Sequence, residues 1–218
     1  QGLFATLIIG TMIQQIGLLI GGSTGNVIYL LGKAAAALTS AGIGVGVAVK
    51  YGESPLVTVS AAVAAMVGGY AGKITGGTFF VDGNAVLAGP GEPLGAFIAA
   101  FAGITCGHLV SGKTKVDIIV TPVITIGAGS VVGLLVGPPI SQMMTGLGSI
   151  INWATEQRPF IMGIVVSVVM GMVLTLPISS AALGIILNLS GLAAGAATIG
   201  CCCNMVGFAV ASYRENKF

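Results

Sequence analysis

Charge is scarce in this 218-residue chain: Asp and Glu number six, Lys and Arg eight, and charged residues make up 6% of the total. A soluble domain is about a quarter charged, so this surface is not built to face water. A formal net charge of +2 without a basic cluster argues against nucleic acid as a partner. Cysteine is thin too. Cys106 and the run Cys201-Cys202-Cys203 show no metal-ligand spacing, and three adjacent thiols in an apolar stretch read as small packing residues. Metal clusters, phosphate-cradling loops, dinucleotide fingerprints and nucleophile elbows are all missing from the sequence. No metal, no cofactor and no soluble-type active site is expected.

Apolar residues fill the space that charge leaves, at 55% of the chain with a mean hydropathy of +1.05. Apolar runs of about 17 to 25 residues recur, the length that crosses ~30 Å of hydrocarbon. The expectation is an all-α polytopic membrane protein, a single transmembrane domain over residues 1–218 with about seven spans. They fall near 2–20, 26–48, 55–72, 93–111, 118–137, 159–176 and 191–211, with "GGSTGN" and "KYGES" as turns. Pro55 opens a helix where its missing N–H costs nothing, and Pro122 should bend its span. Residues 138–158, "PPISQMMTGLGSIINWATEQR", place Met143, Met144, Leu147, Ile150, Ile151 and Ala154 near helical spacing, with Trp153 and Arg158 suited to a headgroup boundary. That pattern predicts an amphipathic interfacial helix. Two pieces broken by glycine or proline, 73–92 and "LPISSAALGIILNLSG", are expected as re-entrant segments.

The 36 glycines include the pairs Gly42/Gly46, Gly68/Gly72, Gly103/Gly107, Gly129/Gly133 and Gly191/Gly195, whose four-residue spacing lets helix backbones approach closely in lipid. Lys50, Lys113 and Lys115 share one side if every span crosses once, and Lys73 and Arg158 take the other. The positive-inside rule therefore does not set the orientation. The chain begins at Gln1 inside an apolar run and stops at "SYRENKF", so a fragment truncated at both ends is expected.

The stretch "VDGNAVLAGPGEPLGAF" places Asp82 and Glu92 among glycines and prolines between apolar helices. Non-helical backbone at membrane depth survives only inside protein or along a wet cavity, and transporters build midplane sites from such broken helices. Glu92 lies between Gly91 and Pro93, leaving its carboxylate to accept hydrogen bonds from vicinal sugar hydroxyls. The alternative is an external loop with two solvated acids. His108, the single histidine, is a second candidate, about 24 Å from Glu92 if both belong to one helix. It shares a site with Glu92 only if the loop folds back; otherwise it is interfacial. Lys33 reads as a snorkelling or paired cation. Ser179, Ser180 and Asn188, with Asn204 beyond them, either satisfy freed backbone groups or bind a neutral ligand.

Three stretches, "AVLAGPGEPLGAFIAA", "KTKVDIIVTPVITIGAG" and "LPISSAALGIILNLSGLAAGAATIGCCCNMVGFAV", make the chain resemble the integral-membrane IIC subunit of the bacterial phosphotransferase system. The nearest branch includes the perfringolysin regulator-like membrane proteins. The resemblance covers essentially the whole chain and implies a multi-pass protein of the bacterial cytoplasmic membrane. It further implies a homodimer that binds a sugar and presents it to a phosphocysteine or phosphohistidine on a partner IIB subunit or domain. Sugar-binding members often carry a Gly-x-x-Glu-Pro loop, matched here by Gly89, Glu92 and Pro93. On that likeness Glu92 is the catalytic and sugar-binding candidate, with His108, Asn188, Ser179, Ser180 and Asp82 as further contacts. Nothing resembles a IIB phosphorylation loop, so any phosphotransferase chemistry needs a separate protein. Two alternatives stand beside this one. The first is a membrane sensor or regulator that binds a ligand without moving it. The second is a proton- or ion-coupled carrier of an organic acid, for which no intramembrane Arg offers a grip.

Overall fold

The computed structural model describes residues 2–81, 84–85, 89, 91–114, 116–155, 158–175, 189 and 191–215. A π-helical turn, Phe4–Ile8, leads into α1 (Ile9–Ile20), followed by α2 (Gly22–Ala37), α3 (Thr39–Tyr51), α4 (Pro55–Gly69) and the short α5 (Ala71–Thr75). A two-residue antiparallel ladder, β1 (Phe80–Val81) with β2 (Asn84–Ala85), precedes α6 (Pro93–Val110). The long α7 (Asp117–Thr155), α8 (Pro159–Thr175) and α9 (Gly191–Glu215) complete the described elements. The chain divides into two compact units, Gln1–Ser141 and Gln142–Phe218. The boundary falls inside α7.

The helical class stands, but seven spans do not. Among the described residues three helices are long and apolar enough to cross a membrane: Pro93–Val110, Asp117–Met143 and Gly191–Arg214. A fourth appears if α2 and α3, bent by 51° at Leu38, are taken as one span. The other apolar helices, Ala5–Ile20, Pro55–Gly69 and Pro159–Leu174, have between 10 and 17 residues. The reason is local: breaks at Leu38 and Tyr70 cut apolar runs that hydropathy reads as continuous. The "GGSTGN" turn also shrinks to Gly21, since α2 already starts at Gly22. Packing explains this, because a Cβ added to Gly25 would lie 2.5 Å from the Gly17 carbonyl oxygen on α1. Glycines 10, 17, 25 and 32 thus form the seam of an α1–α2 hairpin. Residues 138–155 are helical as expected, yet they continue α7 and are not a separate element. Pro122, Pro138 and Pro139 lie inside that helix. The segment 177–188 lies outside the described residues.

The first unit is built on close backbone contact. Ile43, Val57, Ala61, Ala65, Ala96, Ala100 and Ile104 form a buried cluster joining α3, α4 and α6. Small residues let these helices touch. A Cβ at Gly68 would lie 2.5 Å from the Gly95 carbonyl oxygen, and one at Gly103 would lie 2.7 Å from that of Thr125. In lipid such contact replaces the hydrophobic driving force of a soluble core. Four of the five expected glycine pairs engage neighbours, whereas Gly191 and Gly195 have nothing within 4 Å among the described residues. Large apolar side chains such as Leu19, Leu135 and Ile118 point outward at 87%, 71% and 74% exposure, the pattern of a surface solvated by hydrocarbon.

Candidate functional site

Every helix break leaves backbone groups without an intrahelical partner, and hydrocarbon charges several kcal/mol for each one left bare. In the first unit the α2–α3 bend, the α4–α5 break and the residues leading into α6 supply one another with partners. At the α2–α3 bend, Thr39 Oγ1 donates to the Ala36 carbonyl at 2.6 Å. At the α4–α5 break, the carbonyl of Gly69 accepts the backbone N–H of Glu92 at 2.7 Å. The Tyr70 hydroxyl donates to the Gly89 carbonyl at 2.6 Å and lies 3.3 Å from that of Ala37. Gly89, Gly91 and Glu92 are thereby held against α3 and α4.

A glycine makes that placement possible. Gly91 has φ +72, and a Cβ there would lie 2.5 Å from Ser40 Oγ and 3.1 Å from the Gly69 carbonyl oxygen. Only glycine combines that backbone region with so close an approach. Glu92 follows as the residue before α6, its carbonyl accepting from Ala96 N at 3.0 Å and its side chain making no helix cap. Pro93 then starts the helix, where no N–H is needed. Burial pushes the Glu92 carboxyl above its ordinary value of 4.5, and the Lys73 charge pulls in the opposite direction. Lys73 Nζ is 5.4 Å from the centre of the Tyr70 ring, which also packs against Phe79 at 5.5 Å. The result is a half-buried carboxylate, a cation, a buried phenol and the fully buried Ser40, gathered where the α2–α3 bend and the α4–α5 break meet the start of α6.

His108 does not belong to this group. It lies in the last turn of α6, about 24 Å along the helix from Glu92. Its Nδ1 is 2.9 Å from Glu53 Oε1, with the His side chain 72% exposed and the Glu side chain 7%. Ser54 and Ser111, 3.3 Å apart through their hydroxyls, lie at the same end, where Asp117 Oδ1 accepts from Thr121 Oγ1 at 2.6 Å. Lys50 lies in the last turn of α3 and Lys113 just beyond α6 at that end, whereas Lys73 lies in α5, past the far end of α4. Asp82, Ser179, Ser180 and Asn188 lie outside the described residues. In the second unit Asn204 Nδ2 donates to the Gly171 carbonyl at 2.6 Å, at the edge of an open groove of 330 Å³ between α8 and α9. Cys201 Sγ lies 3.9 Å from the Met170 carbonyl; all four cysteines are free thiols, and Cys202 and Cys203 are exposed. The described residues hold no group of three or more potential metal ligands.

Sequence reasoning missed Tyr70, Lys73 and Ser40. The available signal was Tyr70 itself, a lone phenol in the glycine-rich "VGGYAGK", where an aromatic residue needs a partner for its hydroxyl.

Among the described residues, apolar helices of spanning length mark an integral membrane protein. The particular family follows from comparison: the model for the phosphotransferase system EIIC matches residues 1–218, and the chain belongs to that family. It is therefore a component of sugar-specific phosphotransferase transport. The match is to the family and does not single out the regulator-like branch. No curated protein and no solved structure gives a significant match.

Proposed function

We propose that this chain is the sugar-translocating IIC component of a phosphoenolpyruvate-dependent system in the bacterial cytoplasmic membrane, with Glu92 at its sugar site. The observation that carries the reading is the return of the Glu92 loop into the first unit, tied by the Gly69 and Gly89 carbonyls. A carboxylate held this way, partly dried and beside Lys73, can accept two hydroxyl hydrogen bonds from one sugar ring. Its raised pKa suits a general base, whose efficiency improves as its pKa nears the working pH.

In the transfer step a sugar hydroxyl oxygen attacks the phosphorus of the phosphorylated Cys or His on IIB. The hydroxyl proton passes to the Glu92 carboxylate. The P–S or P–N bond breaks, and the freed IIB side chain leaves with its electron pair. This chain supplies binding and the base, while IIB supplies the phosphoryl group. Ser179, Ser180, Asn188 and Asp82 are proposed as additional sugar contacts on the chemistry of their side chains alone, and a homodimer as the working assembly. His108, at the far end of α6, is left out of the proposed sugar site.

The test is Glu92→Gln in the full chain, reconstituted and titrated against a panel of neutral mono- and disaccharides, with expression checked in parallel. Binding should be abolished and expression kept. Unchanged binding of every sugar that the parent binds would remove Glu92 from the site. Ligand-induced thermal stabilisation with no uptake in vesicles supplied with IIB would move the reading to a sensor.

A further inference from the structure

The loop bearing Glu92 hangs on one phenol, and that phenol also touches a second helix break. We infer that Tyr70 is a positioning residue for the Glu92 site, its hydroxyl holding the Gly89–Glu92 turn against the bend between α2 and α3. The inference rests on reading Glu92 as the substrate contact.

Tyr70 is 1% exposed and follows the last residue of α4. Its hydroxyl reaches two carbonyls, Gly89 at 2.6 Å and Ala37 at 3.3 Å. One hydroxyl carries one proton, so the short contact is the donated bond and the longer one is its alternative. Both carbonyls come from interruptions. Ala37 ends α2 next to the 51° bend, and Gly89 precedes the turn into Glu92. The ring has little freedom to swing, because Phe79 packs on it at 57° between planes and Lys73 Nζ sits 5.4 Å from its centroid. A change in the α2–α3 bend moves the Ala37 carbonyl relative to a fixed phenol. The proton then divides differently between the two carbonyls, and the hold on the Glu92 turn changes with it. Tyr70 thus links the bend to the placement of the carboxylate while staying outside the chemistry.

The full chain in lipid nanodiscs allows two readouts that need no sugar. The first is hydrogen exchange of the Gly91 and Glu92 amides. The second is the pH titration of the Glu92 carboxyl by its infrared band, identified through its loss in Glu92→Gln. Tyr70→Phe keeps the ring and removes the hydroxyl. Exchange at those amides should rise about threefold to tenfold, the worth of one such hydrogen bond. The carboxyl titration should move down toward the ordinary carboxylate range as the turn loosens into water, and exchange in α8 and α9 should not change. Fluorotyrosine in place of Tyr70, a stronger donor of nearly the same shape, should preserve or increase the protection, which keeps the test open if Tyr70→Phe folds poorly. Unchanged exchange together with an unchanged titration would overturn the inference. Unaltered sugar binding by Glu92→Gln would instead refute the substrate assignment, so the two failures are distinguishable.

Discussion

Alanine at Gly91 should damage the Glu92 site far more than alanine at Gly89, although both glycines have left-handed backbone, with φ +72 and +81. An L side chain in that region costs about 1–2 kcal/mol at either position. The difference lies in space. Among the described residues nothing is within 4 Å of a Cβ built at Gly89, whereas at Gly91 it would lie 2.5 Å from Ser40 Oγ, 3.1 Å from the Gly69 carbonyl oxygen and 3.2 Å from Tyr70 Cε2. Ser40 is fully buried and its neighbours are backbone and a packed ring, so the clash is not relieved by a side chain swinging into solvent. Forcing one methyl into such a site costs about 1–3 kcal/mol more. It also pushes Glu92 away from the Gly69 carbonyl that accepts its N–H. For a chain of this size the extra cost corresponds to roughly 2–12 °C in melting temperature. Paired thermal melts of the two variants in nanodiscs, with sugar titrations alongside, measure the gap. Equal melting temperatures and equal sugar affinity would show that the turn is not seated against Ser40, and the site geometry would fall with it.

Other outcomes follow from the same cluster. Because Glu92 binds its proton more tightly folded than unfolded, its own contribution to stability is fully present below the ordinary value of 4.5 and is lost as pH rises through the raised native value. Chemical unfolding as a function of pH should lose that slope in Glu92→Gln. Lys73→Met removes the charge that opposes the shift, so the infrared titration of Glu92 should move to higher pH; a downward move would contradict the placement of Lys73. His108→Gln breaks the pair with Glu53 but should leave sugar affinity unchanged, since about 24 Å of α6 separates it from Glu92. In the second unit Gly200→Ala should lower the melting temperature because its Cβ would collide with the Ser167 carbonyl, whereas Gly195→Ala, with nothing within 4 Å among the described residues, should be neutral or slightly stabilising.

Composition and run length alone determined that this chain is a helical membrane protein, because the solvent acts on each stretch separately: charge is expelled and apolar runs are retained. Helix starts were equally legible. Pro55, Pro93 and Pro159 open α4, α6 and α8, since a helix's first turn has no use for the N–H that proline lacks. Glu92 was legible as a candidate too, from one carboxylate between glycine and proline. The broken second span was not. "GKAAAALTSAGIGVGVAV" is continuous by hydropathy, and the 51° bend at Leu38 leaves no compositional mark. Nor was the order of the site. The Tyr70 hydroxyl meets carbonyls 19 residues ahead and 33 residues behind it, and no pattern over a few residues encodes such meetings. Only the packed structure decided which freed carbonyl found which donor. Apolar surroundings require that each one be satisfied, and the choice of partner belongs to whichever backbones the small residues allow to touch.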